Sequence, residues 1–202
     1  RRRRPVSKTT SKIDTETRRT QIVEAALRII GRDGVAALTT AAMAREVGIS
    51  EANIYRHFEN KNEILREMAL KIRAGLERNL SRVSDASSLK ALMQIYILQL
   101  EYIENNEGIP RLIFSEQLHS SPELKERLLE TIGSYADRLA DIIRKGQKDG
   151  TIKKDIEPMT AAFMFIGMVQ VTTLRWSLSG FSFSLAKEGL KLWNSYERCV
   201  RA

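Results

Sequence analysis

Apolar residues along this chain recur every three or four positions rather than at every second one, the spacing that gathers them on one face of an α-helix. Ile22, Val23, Ala26, Leu27, Ile29 and Ile30 form the first stripe, in a helix expected from Thr17 to Asp33 and closed at Gly31 and Gly34. Short helices follow from about Thr40 to Val47 and from about Glu51 to Phe58, separated by Gly48. A long helix runs from Lys61 to about Ser81, with Asn60 as its cap and Glu63 spaced as in a capping box. After a break at residues 84–88, Leu89, Leu92, Tyr96, Leu100 and Ile103 mark the next helix, and Pro110 opens a shorter one reaching roughly His119. Ser121-Pro122-Glu123 combines a capping serine, a proline for the first helical position and an acid for the positive end of the dipole. Behind it stand Leu124, Leu128, Ile132, Tyr135, Leu139 and Ile142, in a helix that ends near Gly150. A helix from Pro158 to about Gly180 is apolar almost all round, and Leu185–Val200 forms the last. The pattern predicts an all-α fold of about nine helices and no strand.

Charge changes the picture at one end only. Of the net +8, residues 1–80 hold +7 and residues 81–202 hold +1. Six cations (Arg1, Arg2, Arg3, Arg4, Lys8 and Lys12) precede the first acid, Asp14, so residues 1–14 read as a flexible basic arm suited to a polyanion or to solubility alone. The longest uncharged stretch, Pro158 to Leu174, contains four polar residues and stops short of a bilayer span; no signal peptide is visible. The single cysteine, Cys199, excludes an internal disulfide and reads as a small apolar residue of the last helix. A reducing cytoplasm fits these features.

Residues 40–58 read TAAMAREVGISEANIYRHF. A helix-turn-helix needs a small residue where two helices cross, a residue tolerant of left-handed backbone at the turn, and apolar residues clamping both helices. Ala44, Gly48 and Ile54 meet these needs at the required spacing, with Met43, Val47 and Ile49 as clamp. A corner in any small bundle could present the same spacing. The surrounding run (Leu38-Thr39-Thr40, Ala44, Val47-Gly48-Ile49-Ser50, Ile54-Tyr55-Arg56-His57-Phe58 and Lys61) resembles the signature of the TetR family of transcriptional regulators. It departs from that pattern at Met43, where Ile is common, and at Glu51, an acid on the face expected to meet DNA. The resemblance covers about residues 18–65. It implies an N-terminal three-helix DNA-binding domain at residues 15–62, followed by a larger helical bundle for effector binding and dimerisation at residues 63–202.

The helix from Glu51 should then enter the major groove of double-stranded operator DNA. Asn53 can pair with adenine, Ala52 can touch a thymine methyl, and Glu51 can accept from a cytosine amino group. Tyr55, His57 and Lys61 match positions that the family uses for phosphates. Thr39 and Thr40 sit at a helix N-terminus suited to a phosphate, Ser50 heads the recognition helix, and Arg56 adds a backbone contact. In the larger half, the resemblance implies homodimerisation through helices near 122–148 and 158–178. It also implies a small effector, leaning apolar or aromatic because no charged cluster selects an ion. Met93, Tyr96, Phe114, Phe165, Met168 and Trp176 are candidates to line its pocket, though each also suits ordinary core.

Catalytic, metal and cofactor chemistry find little footing. Glu116-Gln117-Leu118-His119 has the spacing of a di-iron ligand pair, but the second copy such a site needs is missing, because Ile54 stands three residues before the other histidine, His57. No glycine-rich phosphate loop occurs. A DNA-binding organiser without an effector remains the alternative to a ligand-released repressor, and a sealed core would favour it.

Overall fold

The computed structural model describes residues 14–83 and 87–202. These hold ten α-helices: α1 (Thr15–Asp33), α2 (Thr40–Val47), α3 (Glu51–Tyr55), α4 (Lys61–Ser81), α5 (Ser88–Glu104), α6 (Gly108–Ile113), α7 (Glu116–His119), α8 (Pro122–Lys148), α9 (Pro158–Leu178) and α10 (Leu185–Val200). Among the described residues the only β pairing is an isolated bridge between Ile152 and Arg201. The basic arm lies outside the described residues except for Asp14, which belongs to the helix. Its carboxylate accepts the Thr17 N–H at 2.9 Å and caps α1.

Serine capping divides the helix expected from Pro110 to His119. Ser115 has extended backbone, and its hydroxyl accepts the Leu118 N–H while donating to the Leu112 carbonyl. Two short helices, α6 and α7, result in place of one. Pro110 is the third residue of α6, inside the first turn, where its missing N–H leaves no helical bond unmade. Cys199 lies on the last helix, as expected, and is exposed there.

Two apolar cores form. In the first, α5, α8, α9 and α10 enclose Leu92, Ile95, Leu139, Ile143 and an aromatic group. Tyr96 meets Phe165 edge-on at 5.4 Å, and Phe165 meets Tyr196 in the same way at 6.2 Å, with Trp193 beside them. The second core joins α1–α4 to Ile109, Leu112, Leu118 and Leu124 from α6, α7 and the start of α8. The packing of the N-terminal helices therefore continues into the larger half of the chain.

Two glycines make that continuity possible. Gly31 on α1 and Gly108 at the start of α6 let the backbones touch: a Cβ at Gly108 would lie 2.1 Å from the Leu27 carbonyl oxygen, and one at Gly31 would lie 2.9 Å from the Gly108 nitrogen. Both obstacles are backbone and cannot rotate away.

The helix α9 runs 21 residues and is long and apolar enough to cross a membrane, longer than the uncharged stretch by itself suggests. One side (Ala161, Ala162, Phe165, Ile166, Val169 and Trp176) is buried against α5, α8 and α10. The opposite side leaves Phe163, Met164, Val171 and Leu178 between 47% and 79% exposed, an apolar face without a partner in the single chain.

Replacing Gly108 with Ala should force the α1–α6 crossing apart and cost about 2 kcal/mol. That corresponds to a fall of roughly 4–8 °C in Tm for a chain of this size. A melt followed by circular dichroism checks it, and an unchanged Tm would refute the close approach.

Candidate nucleic-acid interface

The turn between α2 and α3 is built from the residues that the sequence pattern supplies. Thr39 caps α2 by accepting the Ala42 N–H at 3.1 Å. Gly48 ends it in the left-handed region, at φ 75° and ψ 38°, and the Ile49 N–H returns to the Ala44 carbonyl at 2.9 Å. Ser50 then caps α3 by accepting the Asn53 N–H at 3.3 Å. Met43, Ala44 and Ile54 are buried, fixing the angle between the two helices. The recognition helix stops at Tyr55 rather than Phe58, and Phe58 turns inward to become fully buried.

This geometry sorts the candidate residues into two neighbouring sets. Ser50, Glu51 and Ala52 are exposed at the N-terminal end of α3, with Asn53 half-buried beside them. Thr39, Thr40, Tyr55 and Lys61 converge on one hollow of about 200 Å³, floored by Leu38, Met43 and Ile64. The Thr40 and Tyr55 hydroxyls stand 3.2 Å apart across it, and the Tyr55 ring is 59% exposed. Two hydroxyl groups, the capped N-terminus of α2 and a lysine suit one phosphate oxygen cluster. Arg56 is exposed. His57 is half-buried, and burial, followed by the charges of Arg18, Arg56 and Arg19, holds its imidazole below its ordinary pKa.

A residue that the sequence pattern does not reveal ties these pieces together. Arg19 of α1 donates to the His57 carbonyl, to Glu63 at 2.9 Å and to Glu67 at 2.8 Å. Its guanidinium also lies over the Phe58 ring, 4.2 Å from the centroid. Asn60 accepts the Glu63 N–H at 3.0 Å, as the expected capping box requires, but the Glu63 carboxylate accepts the N–H of Glu59 at 2.7 Å, one residue before the cap, rather than that of Asn60. The Glu59 donor first, and then Arg19, hold the Glu63 carboxyl below its usual range. In sequence Arg19 is one more polar residue on the wet face of α1, and its partners lie 38 and more residues away.

In the larger half, a cavity of about 100 Å³ lies among α4, α5, α6, α8 and α9. Of the six pocket candidates only Phe114 lines it. Tyr96 and Phe165 are consumed by the aromatic core, and Trp176 packs on Phe181 at 4.6 Å. Met168 is half-buried against the same core, while Met93 stands on the outer surface near Lys90 and Ala202. The pair Glu116 and His119 is on α7, with His119 Nε2 3.2 Å from the Ile113 carbonyl. Among the described residues no group of three or more His, Cys, Asp or Glu could hold a metal.

Two short helices joined at a left-handed glycine, the second exposed at its N-terminal end, form a helix-turn-helix, the element by which many transcriptional regulators bind DNA. The sequence profile of the bacterial regulatory proteins of the tetR family matches residues 22–68, and that of the tetracyclin repressor-like C-terminal domain matches residues 85–176. The chain belongs to the TetR family. Among curated relatives, it is 29% identical to the nucleoid occlusion factor SlmA of Marinomonas sp., over 70% of this chain and 71% of that one. It is 23% identical to the fatty acid metabolism regulator protein of Bacillus subtilis, over 82% and 86%. Among solved structures, a transcriptional regulator from Saccharomonospora viridis in complex with choline superposes with a TM-score of 0.80 at 21% identity, over 93% of this chain and 99% of that one. FadR from Bacillus subtilis in complex with stearoyl-CoA gives 0.74 at 23%, over 89% and 95%.

Arg19→Ala should lower operator affinity about tenfold, the scale of losing hydrogen bonds to a charged group, while helix content barely changes. Arg19→Lys should not restore it, since a compact ammonium lacks the planar fork that spans these separated acceptors while stacking on the Phe58 ring. Fluorescence anisotropy with circular dichroism on the same preparations decides this, and unchanged affinity for Arg19→Ala would remove the residue's positioning role.

Proposed function

We propose that the chain is a repressor that grips a pseudo-palindromic operator as a homodimer and releases it when a small effector enters the bundle. The observation that carries this reading is the exposed end of α3 beside the hollow shared by Thr39, Thr40, Tyr55 and Lys61. In this reading Ala52 and Asn53 read base edges, and Glu51 accepts from a cytosine amino group or a water. Ser50, Arg56 and His57 join the residues of the hollow in contacting the backbone of the DNA. Residues 15–62 act as the reading head and residues 63–202 as the regulatory bundle, a division of roles rather than of packing. The site of action is the cytoplasm, where operator DNA is found.

A single recognition helix contacts too few base pairs for useful specificity, so two must act together with half-sites about one helical turn apart. The exposed apolar side of α9, with Leu129 of α8 at 69% exposure, supports pairing through α8 and α9. The helix α4 supports a route for release: Ile72 and Leu76 line the cavity in its middle, while Lys61 at its first position borders the phosphate hollow. An effector that prefers another packing of the bundle would shift α4 and mis-space the two heads, and the coupling must be reciprocal. Relatives named as nucleoid occlusion factors favour the second reading, a DNA-bound organiser without an effector. The cavity favours the first.

Asn53→Ala should cost about 1–3 kcal/mol on the operator and relax base preference at one position per half-site. Lys61→Ala should weaken binding to all sequences alike and lower the salt slope by about one unit. Titrations on operator and random duplexes at several salt concentrations separate the two. Equal loss on both DNAs for Asn53→Ala would end its base-reading role.

Val171→Glu should leave a folded monomer that no longer holds the full operator. Sedimentation velocity beside operator titration tests this, and a dimer that survives the charge would move the interface elsewhere.

A further inference from the structure

The helix-turn-helix carries two acids, and the fold treats them differently. Glu46 of α2 is taken up by α1: Arg28 Nε lies 3.1 Å from one of its oxygens, and an Arg32 nitrogen lies 3.4 Å from the other. Glu51, the first residue of α3, is exposed, and among the described residues its carboxylate makes no ion pair or hydrogen bond. Arg45 and Arg56, the exposed cations on either side of it in sequence, do not pair with it. The head therefore neutralises one acid and leaves the other bare on the helix that faces DNA.

Position sharpens the contrast. Glu51 precedes Tyr55 by four residues, so the two share a side of α3, about 6 Å apart along its axis. Tyr55 borders the hollow of Thr39, Thr40 and Lys61, while Ile54 is buried against the core. A phosphate held in that hollow brings the acid against the duplex. A first-turn acid also stabilises a helix by facing the positive end of its dipole. In α3 that duty is small, because the helix has five residues and Ser50 already caps it.

From this arrangement we infer that Glu51 makes the head selective by rejection, weakening its hold on every duplex except one that sets an amino group, cytosine N4 above all, opposite the carboxylate. The inference rests on the base-reading role of α3 proposed above and assigns discrimination to one residue. In the major groove only the amino groups of cytosine and adenine offer a hydrogen, whereas guanine N7 and O6 and thymine O4 are acceptors and repel a carboxylate. On the wrong sequence the acid loses its hydration without gaining a partner. It also opposes the attraction between phosphates and cations such as Lys61, which acts on any DNA. On the right sequence a hydrogen bond offsets both losses. The contribution of Glu51 is therefore a difference between DNAs rather than a gain in affinity.

The test uses the purified full chain, the duplex that it enriches from a randomised pool, and a scrambled duplex of the same length and composition. Glu51→Gln keeps the shape of the side chain and removes its charge. This variant should bind the scrambled duplex about tenfold more tightly than the wild type, with a salt slope steeper by about one unit. On the enriched duplex it should gain no affinity, so the ratio of the two affinities should fall about tenfold. Weaker binding of both duplexes would make Glu51 a stabiliser of α3, and equal gains on both would make it a general repellent; either result overturns the inference. If the wild type enriches no sequence at all, the base-reading role itself fails and the inference falls with it, an outcome that no property of the variant can imitate.

Discussion

A helix of five residues has almost no stability of its own, because nucleating it fixes several dihedral angles for a single hydrogen bond. Yet α3 is the element that must present side chains to DNA within a narrow tolerance. Its order therefore has to come from outside. Ser50 holds its start, Ile54 and Phe58 anchor its inner side, and Arg19 gathers the chain just beyond its end. The same guanidinium pairs with Glu63 and Glu67 on α4, so the recognition helix and the long helix behind it share one fastening on α1. Its side chain is 28% exposed, so the strength lies in the several acceptors held at once rather than in any one ion pair.

That arrangement gives α1 two duties. One side carries the head, through Ile22, Ala26, Ile29 and Ile30, and the other meets α6 at the glycine crossing. A side chain on a surface rotates to absorb small shifts, whereas touching backbones have no such freedom. The α1–α6 contact therefore leaves little play, and α4 spans from the cavity to the same head.

Much of this was legible in the sequence, and what was hidden has a common cause. Periodicity marks a helix wherever apolar residues must face one side, so the long helices lie where the pattern puts them. Caps are local chemistry, and Asn60, Ser121 and Ser50 act where their spacing predicts. The hidden features all join residues distant along the chain. Gly108 looks like a loop residue until Leu27 lies against it, and Arg19 looks solvated until His57 arrives. The pocket candidates misled for the same reason. Large residues such as Tyr96 and Phe165 suit a cavity or a core equally well, and Trp193 and Tyr196 on α10 claimed them for the core. Apart from Phe114, the space left over is walled mostly by Ile, Leu, Val, Thr and Gln with a single Tyr, residues too ordinary to stand out in a sequence. Ser115, whose cap splits the helix at α6 and α7, was readable in principle and was masked by the stronger proline signal.

The bare side of α9 ties the endurance of the molecule to how many copies of it exist. With Phe163, Met164, Val171 and Leu178 open to water, a lone chain carries an adhesive surface and lacks part of its apolar burial. Association that covers this surface stabilises the folded form by mass action, so thermal resistance should climb with protein concentration. Scarce chains would spend more time apart and be more open to proteolysis, while abundant ones would protect one another. A cell that dilutes such a regulator by growth would then lose it faster than dilution alone accounts for, giving the amount of protein a threshold before any effector is present.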